Sequence, residues 1–299
     1  MRRFLLLLVL LLSVPFSVSA QTGLIGYNAR TYQPNFDGMG ILNTLGSKSL
    51  KPWNSSMGTH LDMMYKSFTG NSLAPASGNN PIIAAAVTDF YYTIGLPAHV
   101  GVGMNVPLIF YQRGQNALTG AQYKMSGVGD MTFSTKWCFL CFLFDEEDLH
   151  GWGAAFATRT SLPTGTQSEF SGSSDMMQDF IFAVDKKWET VEAGFHIGYR
   201  LAPHDVFLGG EYDDSLLWSA ATRLPLKARN GTWAFVADFH GQVLTREYRT
   251  ANSPTEAMAG FEKKFQNGIG LSFGFGERFF DAIGASHHKA FLGLNYIHH

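Results

Sequence analysis

The chain has 299 residues, with 22 Lys and Arg against 24 Asp and Glu, and only 15% of its residues are charged. A formal charge of −2 leaves no strongly basic face, which argues against nucleic acid as a partner. The 32 Gly and 25 Phe are unusual for a soluble domain, and beyond Leu12 no apolar run is long enough for a membrane-spanning helix.

The first element in chain order is an export signal, residues 1–20. Arg2 and Arg3 provide the positive start, Phe4 to Leu12 the apolar run, and Val18-Ser19-Ala20 the small residues that predict cleavage after Ala20. The run is too short to cross roughly 30 Å of hydrocarbon. No Cys follows it, so this is not a lipoprotein start. Loss of Arg2 and Arg3 leaves 20 basic residues against 24 acidic, a net charge near −4. Residues 21–56 come next. They are too many for a simple leader, and Tyr27, Tyr32, Phe36 and Trp53 can pack, so this N-terminal segment is expected to be periplasmic or to fill a lumen.

From Met57 onward the sequence alternates with a period of two. Val191, Ala193, Phe195, Ile197, Tyr199 and Leu201 share one face, while Thr190, Glu192, Gly194, His196, Gly198 and Arg200 share the other. Successive side chains of a strand point to opposite sides, so one face is greasy and the other polar or empty. Twelve such strands are predicted, at 57–68, 82–94, 99–109, 128–140, 151–162, 176–188, 190–201, 214–226, 232–244, 255–265, 268–276 and 288–297. The connections after strands 2, 6, 8 and 10 are tight, whereas those after odd-numbered strands are long and rich in Gly, Ser, Asn and Asp. Short periplasmic turns, long outside loops and an even strand count are the pattern of outer-membrane barrels. Only the connection after strand 4, carrying Asp145-Glu146-Glu147-Asp148, is long where a short one is expected. A soluble β-sandwich also alternates, but it keeps charges off one face, and here nearly every strand carries charge on its polar face. The expected fold is therefore all-β: a transmembrane antiparallel up-and-down β-barrel over residues 57–299, integral to a Gram-negative outer membrane.

Two short motifs add to this reading. Gly127-Val128-Gly129-Asp130 opens strand 4, and Leu162-Pro163-Thr164-Gly165 closes strand 5. With the segment Thr31 to Gly38, they make the chain resemble outer-membrane barrels of the transporter or phenol-meta-pathway type and the N-terminal barrels of OmpA-type proteins. The chain ends at His299, so the resemblance does not extend to a C-terminal peptidoglycan-binding domain. The motifs mark architecture: glycines relieve crowding where strands bend, and Pro163 ends pairing.

The polar face supplies the lumen-lining candidates: Asp62, Lys66, Asp89, Asp130, Lys136, Arg159, Asp179, Asp185, Lys187, Glu192, His196, Arg200, Arg223, Asp238, His240, Glu262 and Lys264. Glu256 and His60 share it. Mixed signs can line a passage or cross-link into a closure, and a barrel wider than eight strands leaves room for either. No nucleophile motif such as G-x-S-x-G accompanies these groups, so no catalytic residue, cofactor or metal is assigned. His287-His288 and His298-His299 are read as loop and terminus, not as ligands. Cys138 and Cys141, in C-x-x-C spacing beside a turn, are either an oxidised pair or inert thiols. Asp130, at the outer mouth, is expected to pair with Arg159. Lys186 beside Trp188 and Lys263 beside Phe265 are expected to snorkel at the periplasmic girdle. Charge and geometry select one register for the strand 6–7 hairpin, with Lys187 facing and bridged to Glu192, Asp179 facing Arg200, and a two-residue turn at Glu189-Thr190. Two functions remain open: a channel or transporter for small solutes, favoured by the resemblance, and a closed structural barrel acting through its loops. Expected partners are outer-membrane lipid and lipopolysaccharide, the barrel-assembly machinery and a small solute.

Overall fold

The computed structural model describes residues 33–66, 82–115, 122–144, 150–165, 173, 175–202, 205–207, 210–228, 231–245, 253–279 and 285–298. The predicted export signal and the acidic run Asp145–Asp148 lie outside the described residues.

The strands are β1 (Ser55–Tyr65), β2 (Ala84–Leu96), β3 (Val100–Gln115), β4 (Gln122–Val128) and β5 (Thr132–Trp137). The one helix among the described residues, α1 (Phe139–Leu143), precedes β6 (Trp152–Ser161), β7 (Met177–Lys187) and β8 (Glu192–Leu201). A small hairpin of β9 (Asp205–Phe207) and β10 (Gly210–Tyr212) leads to β11 (Ser215–Ala228), β12 (Gly231–Leu244), β13 (Thr255–Lys264), β14 (Ile269–Arg278) and β15 (His288–His298). Successive wall strands pair antiparallel, with β8 joined to β11 past the separate β9–β10 hairpin, and β15 returns to β1 from Ser55↔His298 to Tyr65↔His288, closing the sheet. β4 and β5 share β3 between them, β4 against its outer end and β5 against Val100–Asn105. The wall is thus twelve strands around.

One expectation needs correcting here. The predicted strand 128–140 shortens to β5, Thr132–Trp137, followed by α1, and an unpredicted strand, β4, precedes it across a break at Gly129–Met131. Gly129 N–H reaches back to Pro107 O, and Leu162 N–H bonds Met131 O, so the break is anchored on both sides. Cys138 and Cys141 are joined by a disulfide that closes the first turn of α1. In the predicted scheme this was the one long connection on the short-turn side.

The hairpin register follows the charge argument. Asp179 lies across from Arg200, Lys187 across from Glu192, and Trp188 N–H bonds Val191 O around Glu189-Thr190. The Arg200 guanidinium grips Asp179 in a fork at 2.7 and 2.9 Å. Lys187 does not hold the Glu192 carboxylate as expected; Arg223 takes it at 2.7 Å from the next strand. A further tight turn joins β13 to β14, where Gly268 adopts a φ of +84°, favoured by glycine, and Phe265 N–H bonds Ile269 O.

Alternation sets the two faces. Phe90, Tyr92, Phe133, Phe156, Phe182, Phe195, Ile197, Phe261, Phe273, Leu292 and Leu294 project outward and stay exposed, a contiguous belt far larger than a soluble surface carries. At the short-turn edge, the Lys186 ammonium sits 4.7 Å from the Trp152 ring and bonds His150 O, and Lys263 sits 4.8 Å from the Phe265 ring. Both lysines carry their charge at the girdle, as hydrocarbon on one side and water on the other require. Among the described residues no helix is long and apolar enough to cross a membrane. The apolar belt lies on strands whose backbone groups are paired around the closed wall, as a bilayer requires.

A plugged lumen as the candidate functional site

Much of the space inside the wall is taken up by the chain's own N-terminal segment. Residues 33–50 enter it as a folded segment, turn at Leu42-Asn43 between the bridged pair Ile41 and Thr44, and leave to join β1. Three small clusters seat this plug. Phe36 and Leu45 pack on Ala157, Ile181 and Ala183, Ile41 packs on Ala221 and Val236, and Leu42 leans on Met258 and Phe291. Apolar side chains face inward at these positions because the plug, not water, is their neighbour.

Polar contacts fix its orientation. The buried Lys136 ammonium pairs with Asp37 and donates to Gly46 O (2.9 Å) and Lys48 O (2.6 Å), so one cation clasps both limbs of the segment. Thr44 bonds Asp238 through its hydroxyl (2.7 Å) and its N–H (3.1 Å), and meets the Ser219 hydroxyl. Leu45 N–H donates to His196 Nδ1 at 3.2 Å, which places a lone pair on that nitrogen. Ser47 donates N–H and O–H to Asp185 at 2.5 and 2.7 Å. Arg223 is held by Glu192 (2.7 Å) and Glu262 (2.6 Å), and its remaining arm reaches Gly40 O at 2.9 Å. Arg159 donates to Gln33 at 3.0 Å and lies over the Phe36 ring. Gly153 makes room for Ser47: a Cβ there would overlap the Ser47 hydroxyl and sit 2.5 Å from Asp185 Oδ1.

Above the plug runs a second set. Asp238 bonds His240 at 2.6 Å, His240 lies 3.3 Å from Glu256, and Glu256 accepts from Lys289 at 2.6 Å and from Ser286 N–H at 2.5 Å. This line of buried groups links the plug contact at Thr44 to the loop before β15. His60 sits 3.3 Å from Asp62, and Asp89 accepts from Asn105 at 2.9 Å.

The structure therefore brings Lys136, Arg159, Asp185, His196, Arg223 and Asp238 together against the plug. Glu192, Glu262 and His240 hold members of this group, Asp62 and Asp89 lie apart on β1 and β2, and the Asp179–Arg200 fork stands toward the long-loop end. Lys264 sits at the opposite rim, 3.8 Å from Glu262, and Lys187 is exposed there. Lys66 follows β1 outside the barrel proper, with its ammonium 5.3 Å from the Tyr65 ring.

The expected Asp130–Arg159 pair does not form among the described residues. Because the strand breaks at Asp130, its carboxylate turns to the loops and accepts from Gly165 N–H (3.0 Å), Ser173 N–H (2.7 Å) and Ser173 O–H (2.6 Å). Burial raises the Asp130 pKa, and the Ser173 and Gly165 bonds pull the other way without cancelling it. Sequence reasoning also missed Asp37 and Lys289. Lys289 shares the parity of Phe291, Gly293 and Asn295 and could have been read from it, whereas nothing local marks Asp37 as the partner of Lys136.

On the opposite side a cavity of about 60 Å³ runs between Pro34, Asn35, Gly38 and Gly40 of the plug and His60, Tyr91, Ser272, Gly293 and Asn295 of the wall. It has room for a few water molecules and polar groups to hold them.

No protein-family model and no curated protein sequence matches the chain. Among solved structures it is similar in fold to an outer-membrane channel from Pseudomonas putida F1, with a TM-score of 0.60 and 13% identity over 84% of this chain and 97% of that one. The NanC porin gives 0.49 and 10% over 81% and 98%, and the CymD monoaromatic hydrocarbon channel 0.46 and 9% over 91% and 98%. The fold defines the class: a closed antiparallel barrel with an apolar belt, an integral outer-membrane β-barrel.

Proposed function

We propose that the protein is a channel for small solutes, with residues 33–50 as its gate. The observation that carries this reading is the asymmetry of the plug's seating. Most of its polar contacts are on β5–β8, β11 and β12, with one more from Thr93 of β2 to Phe36 O, and it leaves a polar cavity along β1 and β13–β15. A barrel of this width without an insert would hold an aqueous passage, so the size of the opening depends on where the plug sits. The lumen charges serve the gate: Lys136, Arg223, Asp185 and Asp238 hold it, while His60 and Asn295 face the gap. On this reading residues 1–20 deliver the chain across the inner membrane and residues 57–299 form the wall.

The test is conductance in planar bilayers, comparing the intact chain with a Lys136→Ala, Arg223→Ala double variant. The proposal expects small unitary currents from the intact protein and several-fold larger or flickering ones from the variant. Two silent proteins, both folded by heat-dependent gel mobility, would instead support a closed structural barrel.

A further inference from the structure

We infer that the long-loop rim carries a site for a borderline divalent transition metal such as Zn2+, built from Glu277, His287 and His288. Donor atoms of these three side chains all lie within 4.8 Å of one another. Glu277 Oε1 is 3.8 Å from His288 Nδ1 and 4.0 Å from His287 Nδ1, too far in either case for a hydrogen bond. Three donors have thus been gathered without bonding each other. A metal with Zn–N and Zn–O distances of about 2.0–2.2 Å holds its ligands roughly 3.3–3.5 Å apart, so small rotations of exposed side chains would close the set.

The backbone beneath is already fixed. Glu277 ends the outward row of β14 beside the paired Gly276↔Lys289, and His288 is laddered to Tyr65, whose ring stacks on it at 6.5 Å. His287 N–H bonds Tyr65 O at 3.0 Å, and the preceding Ser286 N–H bonds the buried Glu256. The two imidazole rings lie 4.1 Å apart between centroids. His287 Nδ1 is shielded from solvent and has no hydrogen-bond partner among the described residues. A lone pair left dry and unbonded is the group a cation would satisfy.

Two imidazoles and one carboxylate select borderline cations over Mg2+ and Ca2+, which prefer oxygen. Three protein ligands leave a coordination position for water or for an outside donor. The ion would tie β14 to the start of β15 across the loop that joins them, in line with the Lys289–Glu256 pair just below.

The experiment is calorimetric titration of Zn2+ into untagged, folded full-length protein in detergent, with Cu2+ electron paramagnetic resonance to count nitrogen donors. One Zn2+ per chain is expected, undisturbed by millimolar Mg2+ or Ca2+, with two nitrogens on Cu2+. His288→Ala and Glu277→Gln should each weaken binding by about a hundredfold, as much as or more than the loss of an outer-shell partner. Changing His298 and His299 to Ala should leave it intact. Unchanged affinity in Glu277→Gln, or loss only on changing His298 and His299, would overturn the assignment. Should His288→Ala fail to fold, Glu277→Gln, altered at an exposed carboxylate, decides the matter alone.

Discussion

The two sides of the lumen solve opposite problems. Along β5–β8, β11 and β12 the inner wall carries a grip: Lys136, Asp185, His196, Arg223 and Asp238 all bond the plug, and Ala157, Ile181, Ala221 and Val236 pack against it. Along β14 the inward positions are short, Gly270, Ser272, Gly274 and Gly276, as are Gly293 of β15 and Gly58 of β1, and there the 60 Å³ gap remains, bordered by His60 and Asn295. Most of the plug's bonds run to the first flank. The second touches it at fewer places, through Leu42 on Met258 and Phe291 and through Thr93, which donates to Phe36 O. The comparison teaches that a gate needs both: a fastening that can be undone and a wall that does not follow it.

The grip is where the largest effects lie. Lys136→Ala leaves the buried Asp37 without its ion-pair partner, which should cost about 3–5 kcal/mol, read as a lower urea midpoint for unfolding from detergent. A loss below about 1 kcal/mol would show that the plug does not contribute to barrel stability. Gly153→Leu forces a side chain into the space of Ser47, and overpacking of this kind costs about 1–3 kcal/mol. Here the plug should yield before the wall, so trypsin should cut at Lys48 or Lys51 faster than in the parent chain.

The open flank predicts the reverse pattern. Gly293→Leu would place atoms against the Ser272 hydroxyl and 3.1 Å from His60 Nδ1, inside the gap. Residual current through the intact barrel should fall while the urea midpoint moves little. A rise in current would contradict the assignment of the passage to this side. The outer fork lies apart from the passage. Asp179→Asn weakens a buried, two-bond pair with Arg200, costing about 1.5–3 kcal/mol, and should leave conductance unchanged.

Much of the frame was legible because a strand writes its orientation into alternate residues. Parity assigned Lys136, Asp185, Arg223 and Asp238 to the inside, and opposite charges chose the β7–β8 register, with Asp179 on Arg200. What the period cannot carry is the path of a segment without one. Residues 33–50 have no repeat, so the partners they bring could not be read: Asp37 for Lys136, Gln33 for Arg159, Thr44 for Asp238. The break at Gly129–Met131 was hidden for a related reason. Alternation continues on both sides of it, while the side chain in the break, Asp130, answers to Ser173 and Gly165 of the loops. The sequence left Cys138 and Cys141 as a disulfide or two thiols, and geometry joined them.

The most direct test of a movable plug is to tie it down. Ser47 and Asp185 touch at 2.7 Å through side chains, so the Ser47→Cys, Asp185→Cys pair should form a disulfide between plug and wall. Single-channel current is then recorded in the oxidised and reduced states, with the parent protein under the same reductant to account for Cys138 and Cys141. The account predicts small, steady current when the link is closed and larger, fluctuating current when it is opened, a change absent from the parent. Identical currents in the two states would mean that the plug does not move to conduct.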